Sequence, residues 1–171
     1  MKKIKNLLFL LGLIILPGLL NSCSDNDDVR MPDDIMGIWS PSDNRYLELS
    51  EDFTVHNLEI LYQDGESIGQ WTTDAFLYEP GYHILLYSTG TKVDVYQIIE
   101  LTSSQMIWCW VEEVHLDEVE GKEGLGKIIG KIIKEAQEGF NINPELYQTF
   151  QKISENDFLS IIEKLNIIYP W

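Results

Sequence analysis

The stretch that decides the fold is VDVYQIIEL (residues 93–101), TSSQ (102–105) and MIWCWVEEV (106–114). Two long apolar runs, rich in β-branched and aromatic residues, flank four polar residues, which is the pattern of a β-hairpin. Shorter runs of the same kind extend back to Gly37, and turn residues separate them. Short connections make successive strands antiparallel neighbours, and closing such a meander into a barrel removes its exposed edges. The pattern therefore predicts a barrel of about eight strands: one that begins with 37–39, then 46–49, 53–60, 67–72, 75–79, 82–87, 93–101 and 106–114.

Alternation along a strand assigns the aromatic residues of the last run to faces. Met106, Trp108 and Trp110 share one face, and Ile107 and Cys109 lie on the other. Both faces are apolar, so one should form the barrel interior while the C-terminal region covers the other. Met106, Trp108 and Trp110 are therefore the candidate ligand-binding residues. Two tryptophans inside so short a barrel would fill much of its volume.

The region 117–171 predicts a helical extension packed on the barrel. Within 124–138, apolar residues recur at helical spacing: Leu125, Ile128, Ile129, Ile132, Ile133 and Ala136. Lysines occupy the opposite face, and Gly139 ends the pattern. This helix is expected to pack on the barrel, with contact to a membrane surface as the alternative.

Two further helices are expected after Gly139. Asn143-Pro144 is typical of a helix start, and Leu146, Tyr147, Phe150 and Ile153 would form the apolar side of that helix. Ser154 with Asp157 resembles a capping box for a third helix, although Glu or Gln is the usual partner of the cap residue.

The first 22 residues have the form of a secretory signal peptide, with a basic start and an apolar run from Leu7 to Leu20. They end in Leu19-Leu20-Asn21-Ser22-Cys23, which resembles a bacterial lipobox, although Asn21 departs from the commoner small residue. The resemblance implies that Cys23 becomes the lipidated first residue, with acyl chains such as palmitate holding the protein on a membrane. Ordinary signal cleavage, which leaves Cys23 free, is the alternative.

The segment 23–34 is interpreted as a flexible acidic tether. Its run Ser24-Asp25-Asn26-Asp27-Asp28 resembles the surface-export signal of Bacteroidetes lipoproteins. The resemblance implies an outer-membrane lipoprotein exposed on the cell surface. A solvated linker is the alternative interpretation of the acidic run.

Three segments of 35–116 carry a second resemblance. Gly37-Ile38-Trp39, the strand–acidic turn–strand of 47–54 and the hairpin of 96–106 together resemble the lipocalin-like domains of Bacteroidetes lipoproteins. The resemblance covers roughly half the chain. It implies a small up-and-down barrel with an interior suited to an apolar ligand, and it supplies no catalytic residues. Independently of the family, Trp39 at the start of the first strand is expected to close one end of the barrel.

Charge and motif spacing argue against several other functions. The chain has 28 acidic and 12 basic residues, a formal charge of −16, which disfavours nucleic-acid binding. The sequence at 121–127 fits G-x-x-x-x-G-K but continues with Ile128, where a phosphate-binding loop needs Ser or Thr. The three histidines are too widely spaced for a metal motif, and Cys109 in an apolar strand is expected to be a small buried hydrophobe. No metal, cofactor or enzymatic activity is therefore expected.

Two functions remain after these exclusions. The first is a lipid-anchored envelope protein that binds a small apolar or amphipathic ligand. The second is a surface module with a filled core that contacts a protein or a glycan through exposed aromatic residues, such as Trp71 with Tyr78 or Tyr82. An interior cavity of about 300 Å³ or more would favour the first.

Overall fold

A closed barrel of eight antiparallel strands, each hydrogen-bonded to the next in sequence order, forms the body of the protein. The computed structural model describes residues 34–116 and 121–170, with side chains from residue 126 onward in the helix that begins at Gly121. Cys23, the expected signal peptide and the tether up to residue 33 lie outside the described residues. The predicted up-and-down barrel, the architecture of lipocalins, is confirmed. Its strands are β1 (Gly37–Ser42), β2 (Arg45–Leu49), β3 (Thr54–Gln63), β4 (Glu66–Glu79), β5 (Ile84–Ser88), β6 (Lys92–Leu101), β7 (Gln105–His115) and β8 (Tyr147–Ile153).

β4 is one continuous strand of 14 residues. The segments 67–72 and 75–79 were expected to be two strands separated at Thr73-Asp74. The polar residues do not turn the chain, because Val55 pairs with Asp74 and His56 with Thr73 in an unbroken ladder. Polar side chains are tolerated in the middle of this strand because Thr72 and Asp74 line a cavity inside the barrel.

The segment Tyr147–Ile153 forms β8 where a helix was expected. Asn143 does accept a hydrogen bond from the Glu145 amide, but only a three-residue 3-10 turn follows. The spacing of Tyr147 and Ile153 suits strand alternation as well as a helix. Pairing decides between them, since β8 bonds to β7 on one side and to β1 on the other and so satisfies two sheet edges.

The expected division into a barrel of 35–116 and a helical extension of 117–171 therefore needs revision. Only seven strands lie within 35–116, and the eighth follows a long helix. That helix, α1 (Gly121–Glu138), connects β7 to β8 over the outside of the barrel. The barrel thus takes its last strand from the region that had been expected to be entirely helical.

Both helices pack on the outer surface of the barrel. In α1, Ile129 and Ile132 are buried against β5 and β6, as predicted, and Gly139 follows the helix with a φ of 88°. The second helix, α2 (Glu155–Lys164), begins at Ser154, whose hydroxyl accepts from the Asp157 amide at 3.1 Å. The predicted cap is therefore confirmed. Phe158 and Ile162 of α2 are buried against strands β1 to β3.

The apolar end of the chain docks beside α2. Trp71 Nε1 donates to the Ile168 carbonyl at 3.0 Å, and the Tyr169 hydroxyl donates to Glu48 Oε2 at 2.7 Å. Across the described ranges, neither helix is long and apolar enough to span a membrane.

Apolar side chains fill one end of the barrel, which we call the closed end. Trp39 is fully buried there, and its Nε1 donates to the Ile35 carbonyl at 2.8 Å. The rest of this cluster comprises Ile35, Leu49, Val55, Phe76, Tyr78, Leu85, Ile98, Met106, Trp108 and Phe150. The opposite end, where the β1–β2, β3–β4 and β5–β6 turns lie, is called the mouth.

Candidate functional site

A cavity of about 620 Å³ lies inside the barrel on the mouth side of the apolar cluster. Its wall combines polar side chains of β3 and β4 with aromatic rings of β5, β6, β7 and β8. The lining residues are Pro41, Ser42, Arg45, Tyr46, Leu47, Asn57, Leu58, Glu59, Gln70, Thr72, Asp74, Tyr87, Tyr96, Trp108, Gln148, Thr149 and Phe150. The filled interior expected under the second function is therefore not observed.

Three polar groups form a hydrogen-bonded cluster in the cavity wall. Asn57 Nδ2 and the Tyr87 hydroxyl each donate to Asp74 Oδ2 at 3.0 Å, and Asn57 Nδ2 also donates to the Tyr87 oxygen. Burial raises the pKa of Asp74, while the hydrogen bond from Tyr87 lowers it. Burial also raises the pKa of Tyr87, and the nearby Asp74 carboxylate raises it further, so this hydroxyl stays protonated. The cluster fixes one carboxylate oxygen with two neutral donors.

Aromatic rings form the neighbouring part of the wall. Tyr96 stacks on Trp108 with ring centroids 4.6 Å apart, and Phe150 packs against Trp108 in a T-shaped arrangement with centroids 4.2 Å apart. Trp108 Nε1 donates to Gln148 Oε1 at 2.8 Å, which satisfies the indole nitrogen. Burial raises the pKa of Tyr96 to about 12. The rings are held in fixed positions before any ligand arrives.

The β3–β4 hairpin extends the wall beyond the mouth. β2 pairs with β3 only as far as Glu59, and β5 pairs with β4 only over Ala75–Glu79. Leu61 and Ile68 are cross-strand partners two residues beyond Glu59 and Gln70, so alternation puts them on the same face as the cavity lining. They are 42% and 44% exposed. An exposed apolar pair thus lies on this face just beyond the polar lining residues Glu59 and Gln70.

The structure separates the three residues predicted to bind a ligand. Trp108 lines the cavity. Met106 is fully buried in the cluster at the closed end and does not line the cavity. Trp110 is 41% exposed, and its Nε1 donates to Asp94 Oδ1 at 3.2 Å. Only one of the two tryptophans therefore lines the cavity. The barrel interior consequently holds more free volume than was expected with both rings inside it.

The polar half of the site was not predicted from the sequence. Asn57, Thr72, Asp74 and Tyr87 come from three different strands, and none belongs to a catalytic or metal motif. One signal was present, since Gln70, Thr72 and Asp74 alternate along β4 on the face that turns apolar at Phe76. Polar residues at alternate positions on an inward face indicate a cavity that water can enter.

Of the aromatic pairs suggested for glycan or protein contact, Trp71 with Tyr78 is not formed. Trp71 packs edge-on against Phe158 at 6.3 Å and Tyr169 at 5.5 Å. Tyr78 belongs to the interior cluster and is only 6% exposed. The two side chains lie on opposite faces of β4, because their positions differ by seven, an odd number.

The remaining chemically interesting residues do not join the cavity. Cys109 is fully buried on the outward face of β7, as a small hydrophobe would be, with Sγ 3.5 Å from the Asn143 carbonyl oxygen. Within residues 34–116 and 121–170, no group of three or more His, Cys, Asp or Glu side chains is arranged to hold a metal ion.

Comparison with known proteins adds little to this description. No protein-family model matches the chain, and no curated protein matches it. Among solved structures, the chain is similar to a deswapped triple mutant of bovine odorant-binding protein, with 13% identity over 79% of this chain and 95% of the other. The TM-score is 0.25, so the fold assignment rests on the order and pairing of the eight strands.

Proposed function

We propose that this protein binds a small amphipathic molecule inside its barrel. The observation that carries the proposal is the cavity of about 620 Å³, within the roughly 300–1,000 Å³ range of small-molecule sites. Stacked rings supply apolar contact area, and the Asn57–Asp74–Tyr87 cluster supplies the few convergent polar groups that orient a ligand. Leu61 and Ile68 give a long apolar tail a surface beyond the mouth.

Titration with N-phenyl-1-naphthylamine, a neutral fluorophore that brightens in apolar surroundings, tests this proposal. We expect saturable binding of one molecule per chain. Thr72→Trp fills the cavity and should weaken binding by about tenfold or more. Thr73→Trp is the matched control, because it adds the same ring one position away on the outward face, and it should leave affinity unchanged. Absence of saturable binding, or equal binding by both variants, would overturn the proposal.

The site of action that we propose is a bacterial outer membrane, with the protein anchored by lipid on Cys23 and exposed at the cell surface. The lipobox-like Leu20-Asn21-Ser22-Cys23 and the acidic run that follows it support this proposal. The described chain begins at the closed end, where Ile35 packs with Trp39, so the mouth lies at the opposite end of the barrel and would take its ligand from the surroundings. Several acyl chains on one cysteine bind a bilayer stably, since each buried CH₂ contributes about 0.8 kcal/mol.

Fractionation of cells that express cysteine variants tests the anchor. Cys23→Ala should move the protein from the membrane fraction to the soluble fraction and abolish incorporation of labelled palmitate. Cys109→Ala is the matched control, since the chain has two cysteines and Cys109 is buried in β7. Retention of Cys23→Ala in membranes would contradict the anchor. Surface exposure is tested separately by adding a protease to intact cells. Digestion of the protein would show that it faces the outside.

A further inference from the structure

The charges that line the cavity do not cancel evenly. Its wall contains one cation, Arg45, and two carboxylates, Glu59 and Asp74. Arg45 and Glu59 are direct cross-strand partners on β2 and β3, so their opposite charges lie near each other, and the charge of Arg45 also opposes the rise that burial causes in the pKa of Tyr96. Asp74 has no such neighbour: across the described parts of the chain, no Lys, Arg or His forms an ion pair with it.

One oxygen of the Asp74 carboxylate accepts hydrogen bonds from the described part of the protein, and the other does not. Oδ2 accepts hydrogen bonds from Asn57 and Tyr87, which are both neutral donors. For Oδ1, the described residues supply no hydrogen-bond donor, and the side chain lines the cavity. A partly buried carboxylate without a cationic partner is costly, because neutral hydrogen bonds replace only part of its lost hydration. The arrangement keeps a fixed negative charge available to whatever enters.

The rings that share the cavity suit a positive charge as well. Tyr87 holds the carboxylate directly, and the stacked pair of Tyr96 and Trp108 lies on the next two strands around the barrel. Aromatic faces attract ammonium groups by about 0.5–1 kcal/mol at exposed sites and about 2 kcal/mol when the cation is desolvated. A carboxylate beside electron-rich rings is a combination that favours cations over anions and over neutral polar groups.

We propose that the ligand carries an ammonium group, which Asp74 Oδ1 binds beside the rings of Tyr87, Tyr96 and Trp108. This inference rests on the proposed function, because it names the ligand class of the same cavity. The apolar remainder of the molecule would extend through the mouth toward the exposed side chains of Leu61 and Ile68. The ligand class is therefore an amphipathic organic cation.

A matched set of three probes tests the charge preference: decyltrimethylammonium, 1-decanol and decanoate, each titrated calorimetrically below its aggregation concentration. All three share the same chain, so affinity differences report the head group. We expect the ammonium probe to bind about tenfold tighter than the alcohol or more, and decanoate to bind weakest. Asp74→Asn keeps the size of the side chain and should reduce the preference for the ammonium probe to about twofold or less.

The control must separate the cavity charge from the general attraction of an acidic protein for cations. Asp64→Asn makes the same charge change at the exposed β3–β4 turn, where φ is 54°, a conformation that Asp and Asn both tolerate. It should leave the ammonium preference intact. Equal weakening by Asp64→Asn and Asp74→Asn would overturn the inference in favour of non-specific attraction.

The remaining outcomes separate this inference from the proposed function. Binding of all three probes with similar affinity, unchanged by Asp74→Asn, would overturn the cation preference and leave the ligand-binding function standing. Failure of the three probes and of N-phenyl-1-naphthylamine to bind would overturn both. Circular dichroism of Asp74→Asn establishes that any loss comes from the site and not from unfolding.

Discussion

At the residue scale, Asp74 is subject to opposing requirements of stability and binding. Its partial burial raises the pKa of the carboxyl above its ordinary value of 3.8, which means that folding favours the protonated form. The contribution of Asp74 to the free energy of unfolding is therefore fully present below the pKa that its carboxyl has in the unfolded chain. It is lost as the pH rises through the higher pKa of the folded protein. A charge that a ligand would use is thus held at a cost to the empty protein.

The first prediction compares Asp74→Asn with the wild type by urea unfolding between pH 3 and pH 8. Because the variant cannot ionise, the wild type should lose stability relative to it as the pH rises above about 3.8. At pH 7 the variant should be as stable as the wild type or more so, although its ligand affinity falls. A wild type that gains stability relative to the variant over this range would contradict the assigned pKa direction.

Residues of the site differ in how far sequence could predict them. Trp108 was predicted to face the interior because side chains alternate strictly between the two faces of a strand. A large inward ring in a small barrel has few alternative positions. Met106 and Trp110 share that face but lie at different distances from the mouth. Whether such a residue lines the cavity depends on how far each neighbouring strand extends. Asp74 was missed because a polar residue between two apolar runs is also typical of a turn.

At the element scale, the amphipathic pattern of α1 had two interpretations: packing on the barrel and contact with a membrane surface. Charge and packing distinguish them. Ile129 and Ile132 are buried against Val93 and Val95, so the apolar stripe faces the barrel. Lys131 on the other side pairs with Glu112 of β7 at 3.1 Å and with Glu135 at 3.5 Å. The basic face is therefore engaged in part by the protein's own carboxylates.

The second prediction tests this packing with Ile132→Ala. Ile132 is 3% exposed, so we expect the free energy of unfolding to fall by about 2–5 kcal/mol through lost burial and the cavity left behind. Lys134→Ala is the control on the same helix, where the exposed pair with Glu138 contributes about 0.3–0.5 kcal/mol. Chemical denaturation of both variants without membranes makes the measurement. Equal, small effects would mean that α1 does not pack as described.

Element boundaries depended on partners that a single sequence does not reveal. The cap at Ser154 and the end of α1 at Gly139 were predictable, because caps and left-handed glycines act locally. The identity of β8 was not predictable locally, because two open strand edges elsewhere in the chain select its conformation. Tertiary pairing overrode a plausible helix start at Asn143-Pro144.

At the scale of the whole molecule, the barrel has two unlike halves. The closed end is packed with apolar rings and aliphatic side chains. The half near the mouth contains the cavity with its polar cluster. The antiparallel order of the strands up to β7 followed from apolar runs and turn residues, whereas the count of eight agreed only because the division of β4 offset the missed β8. The contrast between the two halves follows from the three-dimensional depth of each inward residue. The architecture was therefore predictable and the position of the site was not.

The third prediction follows from the position of β8 and concerns a fragment of residues 34–116. It would contain seven strands and leave β1 and β7 without their shared neighbour. We expect it to aggregate or remain unfolded, because unpaired edges beside exposed apolar faces associate. Residues 34–170 should give a monomeric, cooperatively unfolding species. Size-exclusion chromatography and thermal melts distinguish these outcomes, and a folded, monomeric fragment would contradict the prediction.

The late position of β8 also sets the order of events when the protein is made. The pairing of Ile38 with Ile153 joins residues near opposite ends of the described chain, and such long-range pairing slows folding. Until Tyr147–Ile153 has emerged from the ribosome, the hairpins can form but the barrel cannot close. The barrel therefore becomes a closed container only when its eighth strand arrives.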